Sequence, residues 1–374
     1  MILIGNPANR RVTLFQAALA AQGHPPARVV AWRDLAEAGA PARLLVDVPP
    51  GAVVRIDSAG EDAEVERAFL RRGEAAARAA GHEAIEARGL DAVPREPGRI
   101  LYPRQAHLGF LAAVEEIAAA LPAGARVLPP PSAIALLFDK AATSTRCRVL
   151  GLPVPEALPP VRDPEELREA MRAASWSTVF VKLTCGSSAS CLALFSRHAG
   201  SERLVTTVED TGSARYNTLQ LQHLRTRRRI DRVLAFILGE GAHVERAVPK
   251  ARLDGLPFDL RVLVVDGEPA FVVVRCARHA ITNLHLGGRR GDLAALRARV
   301  PPAAWDRAMA SCVALQRSTG AFHVGVDLLL EPGFERHRVI EGNAFGDLLP
   351  NLERDGLDVY GWQIRRLLLP RAGN

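Results

Sequence analysis

With 374 residues, the chain is long enough for two or three packed subdomains with sizeable cores. Apolar residues make up 48% of it, but no apolar run is long enough to cross a bilayer, so no membrane span is expected. The five cysteines are odd in number and show no CxxC spacing, which argues against a zinc site or a disulfide framework. The first residues carry no basic segment before their apolar run, which favours a buried strand over a signal peptide and predicts a cytoplasmic protein.

The net charge is +7, and nearly all of the positive charge is arginine. The densest basic run is RTRRR at residues 225–229. We interpret this run as a solvated helix face, with contact to an acidic substrate or to nucleic acid as the alternative.

Residues 1–135 alternate short apolar runs with alanine-rich amphipathic segments. The alternation predicts strands at 2–5, 27–31, 53–56, 100–101 and 127–128, and helices over 13–22 and 105–121. Such an order indicates a small parallel α/β layer. No GxGxxG follows the first strand, which gives little support to a dinucleotide-binding fold.

The proline-rich stretches at 129–131 and 152–164 mark a boundary and a connector. Strands are expected next at 178–183, 191–195 and 204–208, with a helix over 228–239. Two hairpins follow, formed by 260–265 with 270–274 and by 323–330 with 339–343, together with helices over 293–299, 303–318 and 360–368. We therefore expect an α+β C-terminal lobe and divide the chain into residues 1–135, 136–242 and 243–374.

The last hairpin brings acidic side chains together. Period-two alternation places Asp327 on the face opposite the flanking valines and roughly across from Glu341, with Val339 and Asn343 on the same face as Glu341. Opposed carboxylates destabilise an antiparallel pair unless something neutralises them. Carboxylate and amide oxygens suit Mg²⁺. The alternatives are a different register, or neutralisation by Arg336 and Arg338.

Only three lysines occur in this arginine-rich chain, namely Lys140, Lys182 and Lys250. An ammonium is a compact point charge and a guanidinium a planar fork, so the two are not equivalent against a confined phosphate. Each lysine is therefore a candidate for such a site, with codon usage as the alternative. Lys182 ends an apolar strand, and the small-residue turn after it, which includes Ser187 and Ser188, could surround a phosphate with N–H groups and hydroxyls.

The region between 243 and 290 carries further contact candidates. The strand at 243–250 could offer backbone groups to the edge of an adenine. The next hairpin places Asp259 and Arg261 on one face, with Arg275 expected roughly opposite Arg261, and Arg278 and Asn283 follow. Two facing arginines repel unless an anion lies between them, which predicts a phosphate or carboxylate guest. A solvated arginine face is the alternative.

The order of these pieces resembles the ATP-grasp superfamily, and within it the branch of glutathione synthetase and the ribosomal-protein glutamate ligases. DLRVLVVDG at 259–267 is similar to that branch's D-I-R-x-x-V-V-G strand, and NLHLGG at 283–288 to its N-L-H-x-G-G loop. GVDL at 325–328 and EGN at 341–343 are similar to its G-V-D-hydrophobic and E-x-N magnesium motifs. Two departures are a glycine-poor phosphate loop and AFGDLLP at 344–350, where the branch has an S/F-P-G-like turn.

The resemblance implies a mixed α/β and α+β ATP-grasp fold with an N-terminal parallel lobe, a lid subdomain and a C-terminal catalytic lobe. It also implies roles for individual residues. Those expected to bind the nucleotide are Lys140 and Lys182 at the phosphates, Glu245 and the backbone near Ala247 at adenine, and Lys250 or Asp259 near the ribose. Those expected to act on the transferred group or substrate are Arg261 and Arg275 at the phosphoryl group, and Arg278 and Asn283 at the substrate. Those expected to hold Mg²⁺, with Mn²⁺ as an alternative ion, are Asp327, Glu341 and Asn343.

The resemblance implies an ATP-dependent ligase that forms an acylphosphate and then joins the acyl group to an amine or similar nucleophile. The expected partners are a small-molecule or peptide carboxylate and that nucleophile, not nucleic acid or membrane, and a homodimer is left open. Two alternatives remain: a kinase of the same fold, and a non-catalytic basic binding protein that uses residues 225–229.

Overall fold

The N-terminal part of the chain forms a parallel sheet covered by helices. The computed structural model describes residues 1–60, 62–186, 190–346 and 349–368. In chain order the first elements are β1 (Ile2–Gly5), α1 (Arg10–Ala21), β2 (Arg28–Ala31), α2 (Trp32–Leu35), α3 (Ala40–Leu44), β3 (Val53–Ile56), α4 (Ala63–Ala79), α5 (Ala87–Ala92), α6 (Pro103–Ala120), β4 (Arg126–Leu128), α7 (Pro131–Phe138) and α8 (Lys140–Val149). The strands are ordered β2-β1-β3-β4 and all pairs are parallel, which confirms the predicted α/β layer.

Two helices of this layer pack backbone against backbone at a pair of glycines. A Cβ added at Gly73 would lie 2.0 Å from the carbonyl oxygen of Gln105, and one added at Gly109 would lie 1.9 Å from that of Phe69. Because glycine has no side chain at either position, α4 and α6 can approach this closely. Phe69 and Phe110 then meet with ring centroids 5.5 Å apart.

The middle of the chain forms an antiparallel sheet, called here the middle sheet. Its elements are α9 (Pro164–Ala173), β5 (Thr178–Leu183), β6 (Leu192–His198), β7 (Ser201–Asp210), β8 (Arg215–Leu224), α10 (Arg227–Gly239) and β9 (Ala242–Arg246). The strand order is β8-β7-β6-β5-β9. The sequence reading missed β8, although LQLQ at 219–222 alternates with the period of a strand. Strand β9 crosses the expected division at 242/243 and pairs with β5.

The middle sheet has a hydrophobic core of its own, which includes Phe195 and Leu234. Arg168 is only 2% exposed and ties the layers of this unit together. Its guanidinium donates to Glu202 on β7 at 2.8 Å and pairs with Asp231 on α10. A separate core allows this unit to behave as a cooperative element by itself.

Ile100, predicted together with Leu101 as a strand of the parallel sheet, bonds to the edge strand of the middle sheet instead. The N–H of Ile100 donates to the carbonyl of Arg215 at 2.8 Å, and Arg99 forms an isolated bridge with Tyr216 on β8. The prediction is wrong because the apolar side chain of Ile100 packs against the core of the middle sheet.

The C-terminal part is an α+β layer, as predicted. Its elements are β10 (Arg252–Leu253), β11 (Leu256–Val265), β12 (Glu268–Cys276), a 3₁₀ turn (Leu284–Leu286), β13 (Arg289–Arg290), α11 (Leu293–Arg297), α12 (Pro302–Thr319), β14 (His323–Leu330), β15 (His337–Asn343), β16 (Glu353–Arg354), β17 (Leu357–Asp358) and α13 (Val359–Leu368). Its main sheet, the C-terminal sheet, is antiparallel with the order β13-β12-β11-β14-β15, and β10 lies beside β11.

The N-terminal layer and the C-terminal sheet share one hydrophobic core that runs from Trp32 through Leu137 to Leu315. Helix α7 lies directly on β15, since a Cβ added at Gly342 would be 2.5 Å from Cδ2 of Leu137. This contact holds β15 against the N-terminal layer at a point next to Glu341 of that strand. No helix in the described ranges is long and apolar enough to cross a membrane.

Candidate functional site

Two carboxylates face each other on the C-terminal hairpin. Asp327 on β14 is directly opposite Glu341 on β15, and Gly325 is opposite Asn343, which confirms the predicted register. The prediction that Val339 shares a face with Glu341 is wrong, because a bulge beyond the Asp327–Glu341 pair turns Val339 into the core, where it is 1% exposed. The side chain of Asn343 donates its Nδ2 to the carbonyl of Gly325 at 3.1 Å, which orients the amide.

Arg261 and Arg275 converge on Asp327. Nη2 of Arg261 is 3.2 Å and Nη2 of Arg275 is 3.1 Å from Oδ2 of Asp327. Burial alone would raise the pKa of Asp327, but the two guanidinium groups outweigh it and hold that pKa well below its usual range. The anion that lies between the two arginines is therefore this carboxylate.

The predicted placement of Arg275 opposite Arg261 is wrong by two residues. Arg275 pairs with Asp259 across the hairpin, and Arg261 pairs with Val273. Counting back from the two-residue turn at Asp266 and Gly267 would place Val272 opposite Arg261, and a one-residue bulge near the turn makes that partner Val273. The two arginines are instead diagonal neighbours on one face, and a carboxylate faces Arg275.

Asp259 is the centre of a second cluster. Its carboxylate accepts from Nε of Arg275 at 2.7 Å, lies 3.1 Å from Nζ of Lys250, and accepts from the hydroxyl of Thr282. Burial is the largest cause that lowers the pKa of Lys250. The charges of Arg275 and Lys182 lower it further, whereas Asp259 raises it. The sequence analysis did not single out Thr282, which immediately precedes the NLHLGG segment at 283–288.

Lys140 connects the C-terminal hairpin to the middle sheet. Its Nζ lies 3.2 Å from Oε2 of Glu341 and donates to the carbonyl of Gly186. Helix α8 begins at Lys140 with Asp139 as its N-cap, and the N–H of Lys140 donates to the carbonyl of Thr184 at 3.0 Å. The lysine is thus fixed at both its backbone and its side chain.

Lys182 forms a buried ion pair with Glu245. The ladder pairs Lys182 with His243 and Phe180 with Glu245, so all four side chains lie on one face of β5 and β9. Nε2 of His243 is 3.6 Å from Oε2 of Glu245. Burial would raise the pKa of Glu245, but Lys182 and His243 outweigh it and lower that pKa to about 2. His243 was not singled out from the sequence.

The remaining candidates lie in the segments that follow β9 and β12. The N–H of Ala247 donates to the carbonyl of Thr178 at 3.1 Å. Arg278 is exposed beyond β12, and Oδ1 of Asn283 accepts from the N–H of His285 at 2.8 Å, which caps the 3₁₀ turn. Two predicted phosphate ligands lie outside the described residues, namely Ser187 and Ser188.

The site combines five cationic side chains with four carboxylates, which leaves a net charge of +1. The cations are Lys140, Lys182, Lys250, Arg261 and Arg275, and the carboxylates are Glu245, Asp259, Asp327 and Glu341. The alternative neutralisation by Arg336 and Arg338 does not occur, because both pair with Glu331, at 2.9 and 2.7 Å. An excess of positive charge suits an anionic ligand.

The oxygen donors fit a hard divalent cation. Asp327 and Glu341 supply carboxylates and Asn343 an amide, and such a set suits Mg²⁺ when phosphate oxygens and water complete the octahedron. Within the described ranges, no three or more His, Cys, Asp or Glu residues are grouped to hold a metal by themselves.

No protein-family model matches this sequence, and no curated protein matches it significantly. Solved structures do match along almost the whole chain. The ATP-grasp ligase PsnB, complexed with a phosphomimetic variant of its minimal precursor, Mg and ADP, is 17% identical, with a TM-score of 0.54 over 98% of this chain and 96% of that chain. D-cycloserine synthetase DcsG is 14% identical, with a TM-score of 0.56 over 97% of each chain.

The macrocyclase MdnC from Microcystis aeruginosa MRC, bound with precursor peptide MdnA, is 14% identical, with a TM-score of 0.51 over 98% of each chain. What these proteins share with the present chain at such identities is the fold. The chain therefore has the ATP-grasp fold, with the mixed parallel and antiparallel sheets that the resemblance implied.

Proposed function

We propose that this protein is an ATP-dependent ligase that activates a carboxylate as an acylphosphate and transfers the acyl group to an amine or related nucleophile. The observation that carries the proposal is the convergence of all three lysines of the chain and the carboxylate hairpin where the middle and C-terminal sheets meet. A cation-rich site of this kind, in an ATP-grasp fold, suits a nucleoside triphosphate.

Each group at the site has a role in the proposal. The residues that would bind ATP are Lys140, Lys182, Ser187 and Ser188 at the phosphates, Glu245 and the strand near Ala247 at adenine, and Lys250 or Asp259 at the ribose. Because the N–H of Ala247 already bonds to Thr178, adenine would use neighbouring backbone groups of this strand. Asp327, Glu341 and Asn343 would hold Mg²⁺, with Mn²⁺ as a substitute, and the ion would neutralise phosphate charge.

The chemistry requires positioning and charge neutralisation. A carboxylate oxygen of the substrate attacks the γ-phosphorus of ATP, which forms the acylphosphate and releases ADP. The nucleophile then attacks the acyl carbon, phosphate leaves, and an amine gives up a proton. Arg261 and Arg275 would stabilise the transferring phosphoryl group, and Arg278 and Asn283 would face the substrate. The middle sheet, as a lid, would exclude water from the acylphosphate.

We propose that residues 1–135 form an N-terminal lobe, 136–242 a lid and 243–374 the catalytic lobe, and that the substrate also contacts the N-terminal lobe. PsnB and MdnC were solved with precursor peptides, whereas DcsG is named as a synthetase of a small molecule. We therefore propose a peptide or small-molecule carboxylate as the acid.

Hydroxylamine trapping tests the reaction class. The protein is incubated with Mg·ATP, hydroxylamine and pools of amino acids, small carboxylic acids and Asp- or Glu-containing peptides, and hydroxamates are measured together with ADP. We expect hydroxamate formation that depends on ATP and on one pool, with one ADP for each hydroxamate. A stable phosphorylated product without hydroxamate would support the kinase alternative, and nucleotide binding that is absent altogether would support a non-catalytic protein.

A further inference from the structure

Every carboxylate of the candidate site already has a cationic partner from the chain itself. Glu341 is 3.2 Å from Nζ of Lys140, and Asp327 is held by both Arg261 and Arg275. These are charge-assisted contacts, and Asp327 is only 7% exposed. Asp327 and Glu341, which are expected to hold a divalent ion, are therefore already paired with cationic side chains at the place where that ion would bind.

The same cations are the groups that a nucleotide would engage. A divalent ion that arrived alone would enter a site that is already positive, and it would separate Lys140 from Glu341 and both arginines from Asp327, which would leave Arg275 with Asp259 alone. Asp259 is already occupied by Arg275 and Lys250, and Glu245 by Lys182. Displacing buried cations without giving them new partners is costly.

We propose that Lys140, Arg261 and Arg275 act as built-in counter-ions of Asp327 and Glu341. They keep a free divalent metal ion from binding these carboxylates until nucleotide phosphates bind the three cations instead. The inference rests on the proposed function and concerns its regulation. When phosphate oxygens accept the three cations, the two carboxylates become available together. Metal and nucleotide then bind with positive coupling, and each raises the affinity of the other by the same factor.

Lys140 is the residue to vary, because it is the cation on Glu341 and its removal leaves Asp327 with both arginines. In Lys140→Met, Glu341 loses its tethered partner, so metal affinity without nucleotide should rise even as nucleotide affinity falls. Arg338→Met is the matched control. It removes a cation from the same strand, but that cation pairs with Glu331 at 2.7 Å and not with Glu341.

The measurement is electron paramagnetic resonance of unbound Mn²⁺, titrated into the full chain with and without ADP. Calorimetry of ADP on the same samples reports nucleotide binding separately. For the wild type we expect at least tenfold weaker Mn²⁺ binding without ADP than with it. Lys140→Met should gain at least threefold in nucleotide-free Mn²⁺ affinity, and Arg338→Met should behave as the wild type.

The outcomes separate the two proposals. If the wild type binds ADP but binds Mn²⁺ equally well with and without it, the counter-ion proposal is overturned and the proposed function stands. If Lys140→Met gains no more than Arg338→Met, the role of Lys140 is overturned. If the wild type binds no ADP, both proposals fail. The wild-type comparison needs no variant, so equal Mn²⁺ affinity with and without ADP overturns the counter-ion proposal even where a variant does not fold.

Discussion

Lys182 shows why a lysine has a place in a chain that otherwise uses arginine. Its ammonium is confined between Glu245 and the ring of Phe180, whose centroid is 5.6 Å away, and its side chain is 9% exposed. A guanidinium is larger and planar, so it cannot make the same single-point contact in this space. The compact charge and the confinement together suit a phosphate.

We expect Lys182→Arg to weaken ADP binding at least tenfold, about 1.4 kcal/mol, even though the charge is kept. Arg172→Lys is the control, because that side chain is 62% exposed. Calorimetric titration of ADP in Mg²⁺ measures both. Unchanged affinity in Lys182→Arg would mean that codon usage, and not the site, explains this lysine.

A second prediction at the scale of single residues concerns acid stability. Burial is the main cause that lowers the pKa of His337 to about 4, aided by Arg307 and Arg338 and opposed by Glu331. The folded pKa thus lies below the unfolded value of 6.5. The stabilising contribution is complete above pH 6.5 and is lost as the pH falls toward 4, on the order of 2 kcal/mol in all.

Urea unfolding at pH 7.5, 6.0 and 4.5 measures this dependence. We expect His337→Gln to have a shallower fall in the free energy of unfolding over this range than the wild type. The exposed His198 provides the control, and His198→Gln should keep the wild-type slope. Equal slopes in all three proteins would show that His337 is not held neutral by its surroundings.

At the scale of elements, the close contact between α4 and α6 requires glycine at positions 73 and 109. Gly109→Ala would place a Cβ 1.9 Å from a backbone carbonyl that cannot rotate away. We expect a loss of roughly 1–3 kcal/mol in the free energy of unfolding, measured by urea denaturation. Gly239→Ala adds the same methyl group to a helix where nothing lies within 4 Å, so it should be neutral or mildly stabilising. Equal stability of the two variants would contradict the close approach.

The hairpins show what alternation in a sequence can and cannot predict. The opposition of Asp327 and Glu341 followed from period-two alternation about one turn, and the structure confirms it. The predicted position of Arg275 was wrong by two residues, because the turn at Asp266 and Gly267 and its one-residue bulge pair Arg261 with Val273, so Arg275 is the diagonal and not the direct neighbour of Arg261. Strand 100–101 failed for a different reason, since a short apolar pair does not reveal which sheet will bury it.

At the scale of the whole molecule, the hydrophobic cores distinguish the two parts that share a core from the part that can move separately. The N-terminal layer and the C-terminal sheet have one continuous core, whereas the middle sheet has its own. The motifs predicted the layers and the order of the site residues. They did not predict that each carboxylate would be paired with a cation, since those pairs join residues between 9 and 201 positions apart in sequence, most of them on separately predicted elements.

The candidate site lies where the N-terminal layer, the middle sheet and the C-terminal sheet meet. Lys140 follows the N-terminal layer, contacts the middle sheet through Gly186 and contacts the C-terminal sheet through Glu341. A ligand bound there would touch all three parts of the fold. Its binding would therefore be expected to couple the position of the middle sheet to the rest of the molecule.

Calorimetric titration of ATP in the presence and absence of Mg²⁺, on the wild type, Lys182→Ala and Glu341→Gln, tests the central claim most directly. Glu169→Gln, at an exposed helix position, is the control. The account predicts saturable, Mg²⁺-dependent binding that both site variants weaken at least tenfold and the control leaves unchanged. Binding that is absent from the wild type, or indifferent to both Lys182 and Glu341, would contradict it.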